Sequence, residues 1–353
     1  MPDWTRSMKQ TFEYYVVDPL SWEDKSEFVG VKSCRIERDC TSDTKGSASF
    51  TISEETKECY VRPYLVTVQN RITEKFPLGC FLVQTPTRKY DGRLYDIPVD
   101  GYTPLVELKE SPPPLGYCIA KGLKIMDNAV DLTATHVRAP VVANKVSGMK
   151  LTDDFISNTD DTWFTFLTDL MAKANYEYAL DEWGRILFAP KQKTISQRYI
   201  WTYTDDNSSI LLPEITVEQD VFDIPNVVEI VYSKSGHSYS TRVSNVDKNS
   251  PTSIAARGRQ IVHRVTDADF GGEPSNDQLK EYGENLLESL STLECTVTYK
   301  HAYCPVRVGD SVMLNYERAG ITGVIARVIS QSIECKTGCT VTEKAVFRTK
   351  LWG

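Results

Sequence analysis

The residues best suited to acid–base or nucleophilic chemistry are few in this sequence and lie far apart. The four histidines are His136, His237, His263 and His301, and none occurs in a His-x-x-x-His or Gly-x-Ser-x-Gly sequence that would pair it with a metal or a nucleophile. His263 belongs to an alternating strand pattern that offers its imidazole no partner. We therefore expect all four to be surface or strand residues and not catalytic bases.

Three pairs of adjacent acids are the remaining source of acid–base chemistry: Asp153–Asp154, Asp160–Asp161 and Asp205–Asp206. Two carboxyl groups that flank a glycosidic bond can hydrolyse it. Adjacent acids in Ser/Thr/Asn-rich surroundings are, however, typical of helix caps and turns, and no further acid or base stands at a motif-like spacing from them. The sequence therefore predicts no catalytic residue and no enzyme activity.

Cofactor and metal sites are not indicated either. The nine cysteines contain no C-x-x-C pair, and most lie in apolar strand-like segments, as buried reduced thiols do: Cys34, Cys40, Cys59, Cys80, Cys118, Cys295, Cys304, Cys335 and Cys339. Cys335 and Cys339 have no second pair nearby to complete the four ligands of structural zinc. The glycines form no phosphate-binding loop, so we expect neither a metal nor another cofactor.

The charge and hydropathy of the chain argue against several kinds of partner and location. The formal net charge is −8, with the acids dispersed along 353 residues, which argues against specific nucleic-acid recognition. No segment approaches the ~20 consecutive apolar residues that span a bilayer, so stable membrane insertion is not expected. The first ten residues lack the pattern of a signal peptide, and we expect the chain to be made and folded in the cytoplasm.

The first third of the sequence is a series of strand-like segments separated by turn residues. β-Branched and aromatic residues are concentrated in segments 47–52, 60–68, 80–85 and 93–102. Three consecutive prolines in segment 111–116 then fix φ repeatedly and remove backbone donors, which predicts a domain boundary.

The middle of the sequence predicts a helix packed on a hairpin. Apolar residues recur at helical spacing in segment 161–174, with Asp160 or Asp161 as the candidate N-cap. Two strand-like segments, 176–180 and 185–190, follow and are joined by a turn that contains Gly184.

The last third returns to strand patterns, at 226–232, 293–299, 310–314, 323–333 and 339–347. A linking helix over 275–290 places Leu279, Tyr282, Leu286 and Leu290 on one face. The whole predicts a β-rich α+β fold of three domains. They are a first β-barrel-like domain at 1–112, a smaller α+β middle domain at 113–205, and a second β-barrel-like domain at 206–353 that includes the linking helix.

The most specific pattern lies at the carboxy-terminal end. The linking helix leads into strand 295–299, then into a Pro-x-x-x-Gly-Asp turn from Pro305 to Asp310 and a further strand, and two strands flank Gly338. Segments 31–39 and 46–52 supply the first strands, and the helix–hairpin unit lies between. In this order the segments resemble the tail-hub proteins of tailed phages, the trimeric family that includes the baseplate hub of contractile phages.

This resemblance implies a structural protein of a phage virion, located at the tail tip. The implied assembly is a homotrimer whose two barrel-like domains per chain form a pseudo-sixfold ring around the DNA channel. That ring joins the sixfold tail tube or distal-tail ring to the threefold tip. The implied partners are the distal-tail or tail-tube protein, a tip or fibre protein and the tape-measure protein, and an acidic lining would let DNA pass without binding it.

Two other functions fit parts of the sequence. A tail-associated peptidoglycan hydrolase would use the paired acids as general acid and base. A receptor- or carbohydrate-binding tail-tip protein would use the abundant aromatic residues of the strands, although adhesins tend to be fibrous and repetitive and no repeat of fixed period is present.

Overall fold

A computed structural model describes residues 2–84, 89–90, 92, 95–143, 146–191, 195–196, 198–207, 209–234, 237–266 and 274–352. The chain forms two compact units. Unit 1 comprises Met1–Glu214 and Tyr299–Lys344, and unit 2 comprises Ile215–Thr298 and Ala345–Gly353.

Strands dominate both units. The strands of the first half are β1 (Lys9–Val17), β2 (Asp24–Glu27), β3 (Val31–Asp39), β4 (Gly46–Ile52), β5 (Cys59–Gln69), β6 (Ile72–Pro77), β7 (Phe81–Gln84), β8 (Lys89–Tyr90), β9 (Tyr95–Tyr102), β10 (Cys118–Ile119), β11 (Val141–Val142) and β12 (Phe155–Ile156). Those of the second half are β13 (Tyr176–Leu180), β14 (Ile186–Pro190), β15 (Trp201–Thr204), β16 (Leu211–Glu218), β17 (Val227–Lys234), β18 (His237–Ser244), β19 (Val262–Val265), β20 (Thr292–Ala302), β21 (Ser311–Tyr316), β22 (Ile321–Glu334) and β23 (Thr340–Lys350). The chain passes between the two units three times, inside β16, β20 and β23.

Helices are few in the described part of the chain. The α-helices are α1 (Ile125–His136), α2 (Trp163–Lys173), α3 (Ile254–Arg257) and α4 (Asn276–Leu290), and two 3-10 helices span Pro104–Lys109 and Glu317–Ala319. None of these helices is both long and apolar enough to cross a membrane. The prediction of a β-rich α+β fold is therefore confirmed.

Antiparallel pairing connects the two ends of the sequence within unit 1. A continuous path runs from β22 through β3, β4, β9, β7, β5 and β1 to β2. Alternation explains which side chains enter the core, because successive residues of a strand face opposite ways. In β4, for example, Ala48, Phe50 and Ile52 are buried. Asn70 and Arg71 close the β5–β6 hairpin with positive φ at both positions, the geometry of a two-residue type I′ turn.

The middle of unit 1 contains the predicted helix on a hairpin. Helix α2 buries Phe166, Leu167 and Leu170, and β13 pairs antiparallel with β14 as predicted. The N-cap of α2 is Thr162 and not Asp160 or Asp161. The Thr162 side chain accepts from the Thr165 backbone N–H, and the Thr165 hydroxyl donates to the Asp161 carboxylate instead.

A small sheet with one helix on it forms the core of unit 2. Strand β17 pairs antiparallel with β18 and parallel with β19, and α4 packs on β17 and β18. The buried face of α4 is centred on Leu279, Gly283 and Leu287. The predicted face is correct at Leu279, and Leu286 and Leu290 pack against the same core, whereas Tyr282 is 39% exposed.

The two units divide the chain differently from the three predicted domains. Segment 111–116, predicted as a boundary, lies within unit 1, and the linking helix lies in unit 2. The division at residues 112 and 205 stays a prediction.

Candidate functional site

A fully buried ionic cluster lies where β20, β22 and β23 of unit 1 meet. His301 and Glu343 are both 0% exposed, and Nε2 of His301 lies 3.5 Å from Oε2 of Glu343. The Gln331 amide donates to the same carboxylate oxygen at 2.6 Å, and the Tyr299 hydroxyl donates to the other. Buried charges are stable only when paired and hydrogen-bonded in this way.

Both nitrogens of the His301 ring have partners. Nδ1 lies 2.8 Å from the Ala302 carbonyl oxygen, so it must carry a proton, because a carbonyl oxygen only accepts. Nε2 lies 3.2 Å from the Tyr203 hydroxyl as well as near Glu343. Burial alone would lower the pKa of His301, but hydrogen bonds with Cys304 and Glu343 and the charge of Glu343 outweigh it and raise the pKa to about 10.

This cluster holds strands together and does not meet a substrate. A catalytic acid or base must reach a bound substrate directly or through one water, and neither His301 nor Glu343 exposes any surface. Burial also raises the pKa of Tyr203 and Tyr299, which stay protonated as donors. The prediction that His301 is a strand residue is confirmed, but its partner was not anticipated.

The other histidines make no comparable arrangement among the described residues. His136 is the half-buried last residue of α1, so the prediction of a surface or strand residue is wrong for it. Its ring lies against that of Trp163 at an interplanar angle of 33°, with centroids 4.1 Å apart, and its Nδ1 lies 2.8 Å from the Leu132 carbonyl oxygen. His263 is exposed on β19. The side chain of His237 lies outside the described residues.

A second buried charge lies in β5. Arg62 is 1% exposed and donates to the Asp24 carboxylate at 2.6 Å and to the backbone oxygen atoms of Trp22 and Trp183 at 3.1 and 3.3 Å. The Tyr64 hydroxyl donates to the other Asp24 oxygen at 2.6 Å. Arg62 thereby ties the β1–β2 connection to the β13–β14 turn.

The paired acids have structural partners in the folded chain. Asp154 accepts from the Lys121 backbone N–H at 2.8 Å, and Asp161 accepts from the Asn158 backbone N–H at 2.7 Å. Asp205 pairs with Arg318 at 3.1 Å. The three pairs lie in separate loops, as predicted, but of these three acids only Asp161 has a local turn contact; Asp154 and Asp205 bind distant parts of the chain, and none of these acids is the N-cap of α2.

All nine cysteines are free thiols, and six of them are buried: Cys34, Cys80, Cys295, Cys304, Cys335 and Cys339. No group of three or more His, Cys, Asp or Glu side chains within the described ranges has the geometry to hold a metal ion.

A cavity of about 360 Å³ opens in unit 1 beside the β13–β14 hairpin. Its charged lining consists of five acids and four bases: Glu37, Glu177, Asp181, Glu182, Asp310, Arg38, Lys45, Arg307 and Arg327. Lys45 pairs with Glu177 at 2.8 Å, and Arg307 pairs with Glu182. Because the charges nearly balance, the cavity favours neither an anion nor a cation.

No known family model matches the sequence, and no curated protein matches it. The fold, in contrast, is similar to solved structures. A tail protein from Neisseria meningitidis MC58 has a TM-score of 0.60 at 13% identity, and the similarity covers 96% of each chain. The 43 kDa tail protein of prophage MuSo2 from Shewanella oneidensis has a TM-score of 0.57 at 10% identity, over 96% of this chain and 98% of that one.

A third similar structure comes from a different assembly. The E. coli c3393 protein, a component of the type VI secretion system described as similar to the T4 bacteriophage tail proteins gp27 and gp5, has a TM-score of 0.50 at 10% identity. That similarity covers 92% of this chain and 76% of c3393. The chain therefore has, over nearly its whole length, the fold shared by these phage tail and tail-like proteins.

Proposed function

We propose that this chain is a non-enzymatic structural protein of a phage tail, a hub subunit at the tail tip. The observation that carries the proposal is the extent of the shared fold: it covers 96% of this chain and 96% and 98% of the two tail proteins. Two tail proteins match from end to end with no large segment left over. The tail role is thus proposed for the whole chain and not for one domain of it.

The proposed assembly is a homotrimeric ring around the DNA channel. Each chain would contribute two barrel-like surfaces, from 1–112 and 206–353, so that three chains present six similar surfaces to a sixfold tail tube or distal-tail ring. The opposite side would present threefold symmetry to a tip or fibre protein. A formal net charge of −8 supports a channel that does not bind passing DNA.

The mass of the purified protein in solution tests this assembly. A trimer has a mass of 3 × 39.9 = 119.7 kDa, against 39.9 kDa for the monomer. We expect the trimer by light scattering, and a ring with an open lumen by negative-stain electron microscopy. A compact monomer throughout the micromolar range would overturn the proposal.

The peptidoglycan-hydrolase alternative receives a separate test. The protein is added to a suspension of purified cell wall, and turbidity is followed alongside Asp154→Asn, Asp161→Asn and Asp205→Asn variants. We expect no clearing by any of them. Clearing by the native chain that is lost in one Asp→Asn variant, while that variant keeps its fold by circular dichroism, would replace the structural role with an enzymatic one.

A further inference from the structure

Two thiols from opposite ends of the sequence face each other in unit 1. The β3–β22 register pairs Ile36 with Ile333 and Arg35 with Glu334, so the next facing pair is Cys34 and Cys335. The Cys335 backbone N–H donates to the Cys34 carbonyl oxygen at 3.0 Å, which continues the ladder to this pair. Facing residues of antiparallel strands have Cα atoms about 4.5–5.5 Å apart, within the 4.4–6.8 Å range that a disulfide bridges.

The side chains of these two cysteines also interact. Burial raises the pKa of the Cys34 thiol, and the neighbouring Cys335 thiol raises it further. Both cysteines line a cavity of about 360 Å³ that is open to solvent. A small reagent can therefore approach this pair, although each residue is at most 9% exposed.

The charges around this cavity are nearly balanced. Three bases line it, Lys32, Arg35 and Lys336, and they form ion pairs with Asp96, Glu37 and Glu334 respectively. The cavity therefore gives access to a small disulfide reagent without a strong preference for its charge.

We propose that Cys34 and Cys335 form a redox-active pair that a small-molecule disulfide such as oxidised glutathione converts into an intramolecular disulfide. One thiolate attacks a glutathione sulfur, forms a mixed disulfide and expels one glutathione thiolate. The second cysteine attacks the protein sulfur of that mixed disulfide and expels the other glutathione. The two cysteines are oxidised, the glutathione disulfide is reduced, and the two protons end on the two glutathione thiols.

The bond would link β3 covalently to the end of β22. It links cysteines 301 positions apart in the sequence, and a disulfide restricts the unfolded chain more when its loop is longer. Burial raises the pKa of the Cys34 thiol well above its ordinary value, so the reaction is expected to be slow at pH 7 and faster at pH 9.

Cys339 provides the competing arrangement. It lies in the turn after Cys335, is fully buried, and is close enough for the charge of Cys335 to raise its pKa further. A bond between Cys335 and Cys339 would close only a short turn and would leave β3 unlinked. The proposal therefore depends on whether Cys335 bonds to Cys34 or to Cys339.

The experiment is oxidation of the full chain with oxidised glutathione, followed by alkylation of remaining thiols and peptide mass mapping without reductant. We expect a loss of about 2 Da before alkylation, two fewer alkylated cysteines than in the reduced chain, and a cross-linked peptide that contains Cys34 and Cys335. Reduction should reverse both. A Cys335–Cys339 bond, a stable glutathione adduct on Cys335, or two unmodified thiols after prolonged incubation at pH 9 would each overturn the proposal.

Three serine variants provide the controls. Cys34→Ser should abolish the cross-link, whereas Cys339→Ser should retain it. Cys118→Ser removes an exposed thiol that does not belong to the pair, and it should retain the cross-link as well. Peptide mapping of the native chain already identifies which cysteines are cross-linked. The proposal can therefore be tested even if the Cys34→Ser chain fails to fold.

Discussion

Oε2 of Glu343 lies 3.5 Å from Nε2 of His301, and both side chains are completely shielded from solvent. The folded-state pKa of His301, about 10, is above the ordinary value of 6.5. A raised pKa contributes stability that is fully present below pH 6.5 and is lost as the pH rises through about 10. Burial raises the pKa of the Cys80 thiol from 9.0 to about 12. Such buried thiols also reduce stability as the pH rises, but only above pH 9.

We therefore predict that the free energy of unfolding falls between pH 6.5 and 9 by up to about 1.4 kcal/mol per pH unit. Urea unfolding followed by tryptophan fluorescence at several pH values measures this slope. His301→Gln should lower stability by about 3 kcal/mol at pH 6.5 and flatten the slope, because the Glu343 charge loses its partner. His263→Gln, at an exposed histidine, should change neither the stability nor its pH slope. An equal slope in the native chain and in both variants would contradict the prediction.

The Arg62 contacts should depend on the shape of the guanidinium group as well as on its charge. A lysine keeps the charge, but its donors are all on one nitrogen, whereas Arg62 contacts Asp24 through Nη1 and the Trp22 and Trp183 oxygens through Nη2. Arg62→Lys should therefore lower the free energy of unfolding by about 2–3 kcal/mol. The matched control is Arg6→Lys, at an arginine that is 81% exposed in its pair with Asp3, which should cost at most about 0.5 kcal/mol. Equal effects of the two changes in urea unfolding would argue against a buried structural role.

The β13–β14 turn approaches the chain at Cys80 so closely that only glycine fits. A Cβ atom on Gly184 would lie 2.3 Å from Cβ of Cys80, and φ at Gly184 is +75°. Gly116 has a similar φ of +71° but open space around it. Gly116→Ala should cost about 1–2 kcal/mol through the left-handed backbone alone. Gly184→Ala should cost about 1–3 kcal/mol more because of the clash, and thermal unfolding of both variants measures the difference.

Gly283 allows α4 to lie close to the sheet of unit 2. A Cβ atom there would be 2.8 Å from Cγ2 of Val243 and 3.2 Å from Cδ1 of Ile230. Gly283→Leu should therefore destabilise unit 2 by about 3 kcal/mol. Glu281→Leu, on the exposed face of the same helix, should stay within about 0.5 kcal/mol. Hydrogen exchange of the β17 and β18 amides localises the effect, and unchanged protection in Gly283→Leu would contradict it.

The sequence predicts the elements of this fold better than their contacts, for local reasons. Strand alternation and the α2 periodicity depend on neighbouring residues, and the hairpin at 176–190 agrees with its sequence pattern. On α4 the sequence pattern missed Gly283, which has no apolar side chain, although its small size is what lets the helix approach Val243.

The buried charges could not be derived from local patterns. His301 and Glu343 are 42 residues apart, and Arg62 and Asp24 are 38 apart, so only the strand register brings each pair together. A signal was nevertheless present, because Arg62 interrupts an otherwise apolar strand, and a charge at such a position requires a buried partner.

The route of the chain between its two units has a mechanical consequence. Units 1 and 2 are connected through three backbone segments, each inside a strand, and not through one flexible linker. A pulling force applied across the two units is divided among three covalent connections, each supported by the hydrogen bonds of its strand. Such a chain is expected to carry load without one segment extending ahead of the others.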